Sequence, residues 1–313
     1  MKPLFRNHSI VFALAACMGC TAGAMALRNV YANRNSSQSS VNEATDALAH
    51  MPRVFLWAWE RPEDLRFLRT RDIGVAFLAG TIEIAWQPPG SEKSGVKLRP
   101  RRQPLHVLST TPLMAVVRIE TSRDSWHQRG NHRENVSATN STERLYTDEQ
   151  REEVLQMILA LARLRTSQVQ ALQIDFDASE SEQPFYADLL AEVRKRMPAT
   201  TPLSITALAS WCIGDPWLNQ LAPGTINEAV PMLFRMGHGS GDVISYVESG
   251  REFKSNLCRE SEGLSTDENF SEAMQKNGIR ASFMELARKR VYVFSPQPWT
   301  EDEVKGITRE LEQ

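Results

Sequence analysis

The sequence predicts a single (β/α)8 barrel of the TIM type, and three observations lead to this fold class. From residue 53 onward, short apolar segments alternate with amphipathic ones, as in parallel strands that are buried on both faces and separated by helices. About eight strand-like segments lie in roughly 260 residues, which is the size of one such barrel. No GxGxxG or P-loop motif follows any of these segments, which argues against a Rossmann-type sheet.

The pattern of each segment predicts its secondary structure in turn. Two features indicate where helices begin. A proline lies near the first turn of 61–71, and Thr147 and Gln150 can form a capping box at the start of 147–165. We expect helices at 61–71, 147–165, 184–197, 240–250, 271–277 and 300–313. Apolar runs rich in β-branched residues predict strands at 54–59, 74–84, 98–108 (as a hairpin), 113–121, 169–177, 203–211, 229–237, 256–264 (weak) and 290–296.

The first 26 residues carry the features of an export signal. Lys2 and Arg6 precede the apolar run IVFALAA, which is shorter than the about 20 residues of a transmembrane helix. Two processing outcomes are open. Cys17 ends a segment, LAAC, that resembles the bacterial lipobox and predicts a lipid anchor, whereas Ala24-Met25-Ala26 resembles an ordinary signal-peptidase site.

Residues 27–50 are polar and rich in Ser and Asn, which predicts a flexible tether before a barrel domain at 51–313. The expected location is therefore outside the cytoplasm. The protein would be either a lipoprotein held to the periplasmic face of the outer membrane by its anchor or a soluble periplasmic protein.

Charge and cysteine content exclude some classes of function. A net charge of -2 argues against nucleic-acid binding, which requires a strongly basic face. The domain has no CxxC pair and no Cys/His cluster at zinc spacing, so neither a metal nor another cofactor is expected. In an oxidising compartment, Cys212 and Cys258 could form a disulfide, and two separate buried thiols are an equal alternative.

Polar and aromatic residues collect where the predicted strands end. In a (β/α)8 barrel the active site is built at the carboxyl ends of the strands. Acids surrounded by tryptophans suit a carbohydrate cleft, because flat apolar faces bind sugar rings and carboxylates transfer protons. The predicted catalytic residues are Asp175, Asp177 and Glu120. The predicted substrate-binding residues are Trp57, Trp59, Glu60, Arg118, Trp211 and Arg235.

Each of these residues also has a structural interpretation. Trp57 and Trp59 alternate along a strand, so one of them is expected in the core. Glu60 could instead interact with a helix dipole. Asp175 and Asp177 point the same way, so their repulsion would raise the pKa of one, unless arginines such as Arg118 neutralise both without any chemistry.

Longer motifs resemble a known family. The segments FLWAWERPEDLRFL, GVAFLAGTI, VVRIET, LQIDFDASE with PFY, LSITALASWC with GDPWL, and EAVPMLFRMG are similar to a bacterial family of exported proteins that is defined only as a domain of unknown function. The resemblance runs over most of residues 53–268. It implies a barrel related to those of glycoside hydrolases, without an assigned activity.

A more distant resemblance is to chitinase-type barrels, whose fourth strand ends in Asp-x-Asp-x-Glu. Asp175-Phe176-Asp177 matches the first part of that motif, but Ser179 stands at the position of the catalytic acid, and a glutamate comes only at Glu180. If this chain hydrolyses a sugar, its acid must come from Glu120, Glu60 or Asp177 itself.

Two functions follow from these observations. The first is a glycoside-hydrolase-like protein that acts on a carbohydrate of the cell envelope or the environment through its strand-end carboxylates. The alternative is a carbohydrate-binding or envelope protein that has lost catalysis, because a fold does not fix a function. A metal-dependent hydrolase is disfavoured, since none of the six histidines lies in an HxH or HExxH motif.

Overall fold

The computed structural model describes residues 48–85, 87, 94–122, 145–163, 168–236, 240–267 and 289–312. Cys17, the export signal, most of the tether and the predicted helix 271–277 lie outside the described residues. Within these ranges, no helix combines the length and hydropathy required to cross a membrane.

Eleven strands and six α-helices are described. The strands are β1 (Val54–Ala58), β2 (Glu63–Asp64), β3 (Ile73–Ile84), β4 (Val96–Pro100), β5 (Leu105–His106), β6 (Leu113–Thr121), β7 (Val169–Asp175), β8 (Leu203–Leu208), β9 (Glu228–Met232), β10 (Ser261–Ser265) and β11 (Arg290–Phe294). The helices are α1 (Asp148–Ala162), α2 (Gln183–Arg196), α3 (Ala209–Ile213), α4 (Trp217–Gln220), α5 (Ser240–Glu248) and α6 (Glu301–Glu312), and a 3-10 turn spans Asn256–Cys258.

Eight of the strands form a closed parallel barrel. Their order is β1, β3, β6, β7, β8, β9, β10 and β11, and β1 pairs in parallel with both β3 and β11. Because first and last strands meet, this sheet has no free edge around the barrel. The predicted (β/α)8 barrel is confirmed.

Strand β3 is longer than its neighbours and has two different partners on one side. Its first half, Ile73–Phe77, pairs with β1, and its second half, Gly80–Ile84, pairs with the antiparallel β4. The hairpin strand predicted at 98–108 is therefore present, but it spans Val96–Pro100, and Leu105–His106 forms the separate strand β5. Gly80 follows a register shift in the pairing with β6, and a Cβ there would lie 3.1 Å from the carbonyl oxygen of Arg99.

The capping box of α1 is confirmed. The Thr147 side chain accepts a hydrogen bond from the Gln150 backbone N–H at 3.1 Å, and the Gln150 side chain accepts one from the Thr147 backbone N–H at 3.0 Å. The Gln150 amide also donates to the carbonyl oxygens of Ala85 and Ser94, which ties the start of the helix to the β3–β4 hairpin.

The helix predicted at 61–71 is wrong. This segment contains the short strand β2, which pairs with β5, followed by turns. The reason lies in Glu63, whose buried carboxylate accepts hydrogen bonds from Arg61 Nε at 2.6 Å and from the Trp299 backbone N–H at 3.1 Å. Trp299 is distant in sequence, and the contact with Arg61 requires an extended backbone. These two contacts stabilise the strand more than the local helical pattern would stabilise a helix.

Several other strands differ from the prediction at their ends, and those predicted at 169–177 and 229–237 end at Asp175 and Met232. The strand predicted at 203–211 ends at Leu208, and the chain turns directly into α3. The weak strand predicted at 256–264 begins only at Ser261, after the 3-10 turn. Cys212 of α3 and Cys258 of this turn form a disulfide with a Cα–Cα distance of 5.9 Å, which decides between the two alternatives for these cysteines.

Buried hydrogen bonds and an ion pair connect side chains inside the barrel, between its two ends. Trp57 Nε1 donates to Gln173 Oε1 at 2.8 Å, and Gln173 Nε2 donates to Ser204 Oγ at 3.1 Å. At the amino end, the Glu228 carboxylate accepts from Tyr292 at 2.5 Å and pairs with Arg290 at 2.9 Å. A site with room for a ligand is therefore expected at the opposite, carboxyl end.

Candidate active site

A cavity of about 430 Å³ lies at the carboxyl ends of the barrel strands. Its walls come from β1, β6, β7, β8, β9 and β11, from the residues that directly follow them, and from Val243 of α5. Six of the nine predicted site residues line it, namely Trp57, Trp59, Arg118, Asp175, Asp177 and Arg235. The other three, Glu60, Glu120 and Trp211, lie elsewhere.

Asp175 is the last residue of β7 and is 8% exposed. Thr206 of β8 donates a hydrogen bond to Asp175 Oδ1 at 2.7 Å, and Arg118 Nε of β6 lies 4.0 Å from Oδ2. Burial, and to a lesser extent the charge of Asp177, raise the pKa of Asp175 to about 6, whereas Arg118 and the Thr206 hydrogen bond act in the opposite direction. This carboxyl group therefore exchanges its proton near neutral pH.

Asp177 lies two residues beyond Asp175, and its side chain is exposed at the cavity wall. The surrounding protein atoms nevertheless displace enough water to raise the pKa of Asp177, and Arg118 opposes this shift. Of the two carboxyl groups, Asp177 is thus the one that a ligand in the cavity reaches, and Asp175 lies behind it.

Aromatic side chains form one wall and the floor. Trp57 is buried in the floor, and its alternate neighbour Trp59 is half-buried at the wall, as expected for one core and one cavity residue. Phe294 meets Trp59 edge to face at 6.4 Å between centroids and stacks on Phe234 at 5.7 Å. Phe234 and Phe294 were not among the predicted site residues, although Phe294 ends β11 and Phe234 follows β9.

Two arginines lie over these aromatic rings. The guanidinium of Arg118 is 5.5 Å from the centroid of Trp59, and that of Arg235 is 4.8 Å from the centroid of Phe294. Such cation–π contacts hold a guanidinium in place beside the cavity. Arg118 is the arginine that acts on the carboxyl pair, whereas Arg235 pairs with Asp267 at 3.2 Å.

Glu120 ends up outside the cavity because ion pairs hold it at the rim. Its carboxylate lies 2.9 Å from Arg118 Nε and 2.8 Å from Arg99 Nη2 of β4. The pairing of β3 with β4 and β6 brings Arg99 close to Glu120. The local sequence does not predict this pairing. Glu120 therefore contacts the pair through Arg118, and its charge contributes to the raised pKa of Asp175.

The two remaining predicted residues have structural environments. Glu60 is exposed and accepts a hydrogen bond from the backbone N–H of Arg102 at 3.1 Å. Trp211 is buried in the core, where it packs edge to face on Trp217 at 5.0 Å. Its position in α3, rather than in a strand, turns the indole away from the cavity.

The loop after β7 contains a glutamate whose carboxylate has a structural role. Glu182 is buried, and its carboxylate accepts hydrogen bonds from the backbone N–H of Ser179 at 2.8 Å, from the Ser179 hydroxyl at 2.7 Å and from the Tyr146 hydroxyl at 2.7 Å. Glu180 is exposed on the same loop. Among the residues whose positions are described, no glutamate lines the cavity.

Across the described ranges, no group of three or more His, Cys, Asp or Glu side chains has the arrangement of a metal site. The chemistry that the described residues offer is that of the carboxyl pair itself. It comprises one coupled proton, a nearby guanidinium and aromatic surfaces.

Comparison with known proteins gave two findings. Residues 141–228 match the domain of unknown function DUF3142, and this stretch includes α1, β7 with Asp175 and the following Asp177, α2 and β8. A solved structure with a similar fold is that of the Bacillus cereus spore cortex-lytic enzyme SleL, at 14% sequence identity and a TM-score of 0.38. That similarity covers 68% of this chain and 51% of SleL, so the chain spans about half the length of that protein.

No curated protein matched the chain. The predicted resemblance to a family defined only by a domain of unknown function is confirmed for residues 141–228, which match DUF3142, whereas the predicted extent was most of residues 53–268.

Proposed function

We propose that this protein is a glycoside-hydrolase-like enzyme that binds a carbohydrate in the cavity and cleaves it with Asp175 and Asp177. One observation carries the proposal. Two carboxyl groups with raised pKa values face the same cavity as the aromatic side chains Trp59, Phe234 and Phe294. Sugar rings stack on such surfaces, and glycosidic bonds are cleaved by paired carboxyl groups.

The two aspartates have different roles in this proposal. As a coupled pair they hold one shared proton below about pH 6, since the charge of one raises the pKa of the other. Asp177, the exposed member, delivers this proton to the oxygen of the glycosidic bond as that bond breaks. A water molecule then adds to the sugar carbon and returns a proton to Asp177. Asp175, held by Thr206, remains behind it and tunes the proton affinity of the pair.

The test is hydrolysis of a panel of chromogenic glycosides and polysaccharides by the purified full-length protein. We expect Asp177→Asn to lower kcat/KM at least 100-fold, because a neutral amide transfers no proton, a role whose loss costs about 10²–10⁴-fold. Asp175→Asn should lower the rate and change its pH profile. Asp188→Asn, an exposed carboxylate on α2, is the matched control. Wild-type activity in Asp177→Asn would refute the assignment.

A second candidate function is carbohydrate binding without cleavage. Ser179 stands where the chitinase-type motif has its acid, and Glu120 is held in ion pairs outside the cavity. Binding of oligosaccharides with no turnover over the whole panel would favour this alternative. Glu120→Gln also helps to distinguish the cases. We expect it to lower activity less than tenfold, because Glu120 does not line the cavity and acts on the pair only through Arg118 and through its charge.

We also propose that the protein works outside the cytoplasm, anchored to a membrane through Cys17. The Cys212–Cys258 disulfide supports an oxidising compartment. The test is fractionation of cells that express the full-length chain, with labelled palmitate as the probe. Label and membrane association that are both lost in Cys17→Ser support the anchor. A soluble, unlabelled wild-type protein would instead favour cleavage after Ala26.

A further inference from the structure

We infer that the saccharide bound in this cavity carries a carboxylate, and that Arg235 recognises it. This inference rests on the proposed carbohydrate function of the cavity and specifies its class of substrate, an acidic saccharide. It is carried by the position of Arg235, its backbone conformation and its separation from the catalytic pair.

Arg235 is held so that its guanidinium faces the cavity. Its guanidinium carbon lies 4.8 Å above the centroid of Phe294, whose ring is stacked on Phe234, and all three residues line the cavity. A guanidinium fixed over an aromatic face keeps its N–H groups at the ring edge, where two of them can donate in parallel to one carboxylate. Sugar rings bound on Phe234 and Phe294 would bring their substituents to this edge.

The ion pair between Arg235 and Asp267 is exposed to solvent. The two side chains are 55% and 37% exposed, respectively, and the shortest N–O distance is 3.2 Å. An exposed pair of this kind contributes little to stability, because water competes with it. A substrate carboxylate that is also supported by ring stacking can therefore compete with Asp267 or share the guanidinium with it.

The backbone of Arg235 is a second, independent observation. Its φ is 52°, the one positive value among the non-glycine residues of the described part of the chain. A left-handed conformation is strained for a residue with a side chain, and such strain is concentrated at functional sites. Glycine would adopt this backbone without strain, yet the position holds a long cation that lines the cavity.

The anion site and the carboxyl pair are separate. Arg118, at 4.0 Å from Asp175, is the cation that counteracts the raised pKa of both Asp175 and Asp177. Arg235 pairs with Asp267 instead. A substrate carboxylate at Arg235 is therefore not required to approach Asp177, whose charge would repel it. Arg235 adds a positive charge to the cavity wall that catalysis by the pair does not use.

The experiment compares matched acidic and neutral saccharides by isothermal titration calorimetry on the full-length protein at pH 7. The probes are tetragalacturonate against its methyl ester, oligoglucuronate against cello-oligosaccharide, and N-acetylglucosaminyl-N-acetylmuramic acid against chitobiose. We expect at least one acid to bind tenfold or more tightly than its neutral partner. In Arg235→Gln this preference, measured as the ratio of the two affinities, should fall below threefold. Arg235→Lys should retain part of the preference.

Arg251→Gln is the control, because Arg251 also lies over a ring, 4.3 Å from the centroid of Tyr246, but does not line the cavity. It should keep the full preference. Equal binding of acids and neutral partners by the wild type would overturn the inference and leave the proposed function standing. A preference unchanged in Arg235→Gln would overturn the role of Arg235. No binding of any saccharide would count against both the inference and the proposed function.

Discussion

The buried carboxyl group of Asp175 destabilises the fold when it is ionised, but it gives the cavity a group that titrates at about pH 6. Its carboxyl group ends a buried strand, and burial raises its pKa to about 6 from the ordinary value of 3.8. When this group is ionised, burial deprives it of hydrating water. The contacts with Thr206 and Arg118 compensate only partly for that loss. A residue selected for stability alone would be neutral here, so the buried acid is itself an argument for function.

The pH dependence of stability follows from this pKa shift. Because the native state holds the proton more tightly than the unfolded state, the contribution of Asp175 is fully present below about pH 4 and is lost as the pH rises to about 6. We predict that Asp175→Asn, which stays neutral, raises the free energy of unfolding by about 1–3 kcal/mol at pH 7.5. At pH 4 the variant and the wild type should be nearly equal. Urea denaturation at both pH values measures the difference.

Asp188→Asn is the control for that measurement, since its carboxylate is exposed on α2. It should change the free energy of unfolding by less than about 0.5 kcal/mol at either pH. A free energy of unfolding of Asp175→Asn at or below that of the wild type at pH 7.5 would mean that the ion contacts of Asp175 compensate fully for its burial.

At the scale of elements, local signals were reliable where the chain supplies its own partners. The helix α1 begins where Thr147 and Gln150 satisfy each other's backbone N–H groups, and both residues are visible in the sequence. The segment 61–71 has an equally helical pattern, but Glu63 takes its partners from Arg61 and Trp299. A contact with a residue more than two hundred positions away leaves no trace in a local pattern.

The disulfide joins two short elements of the fold. Cys212 in α3 and Cys258 in the 3-10 turn are 46 residues apart, and the Cys212 carbonyl also accepts a hydrogen bond from the Lys254 backbone N–H at 2.9 Å. We predict that Cys212→Ala with Cys258→Ala lowers the free energy of unfolding by about 2–4 kcal/mol, because a closed loop restricts the unfolded chain. Urea denaturation of both proteins checks this value.

Dithiothreitol provides the matched control for the disulfide. It should destabilise the wild type by a similar amount and leave the double alanine variant unchanged. Equal stability of the oxidised wild type and the double variant would show that the packing of α3 holds this region without the bond.

At the scale of the whole molecule, barrel closure places the site. Pairing of β1 with both β3 and β11 brings Trp59 and Phe294, 235 positions apart in the chain, into edge-to-face contact. Closure also sets β6, β7 and β8 side by side, so that Arg118, Asp175 and Thr206 meet. The cavity therefore exists only in the closed barrel, although each of its residues lies in a recognisable strand or directly after one.

The sequence by itself determined the fold class, most strands, the capped helix and the location of the carboxyl pair, because apolar periodicity, capping and strand-end position are local properties. Tertiary structure decided that Glu120 is held in ion pairs with Arg99 and Arg118, that Trp211 faces the core, and that Phe234 and Phe294 belong to the cavity. These outcomes depend on strand register and on contacts across the closed barrel, which bring together residues that the linear sequence keeps apart.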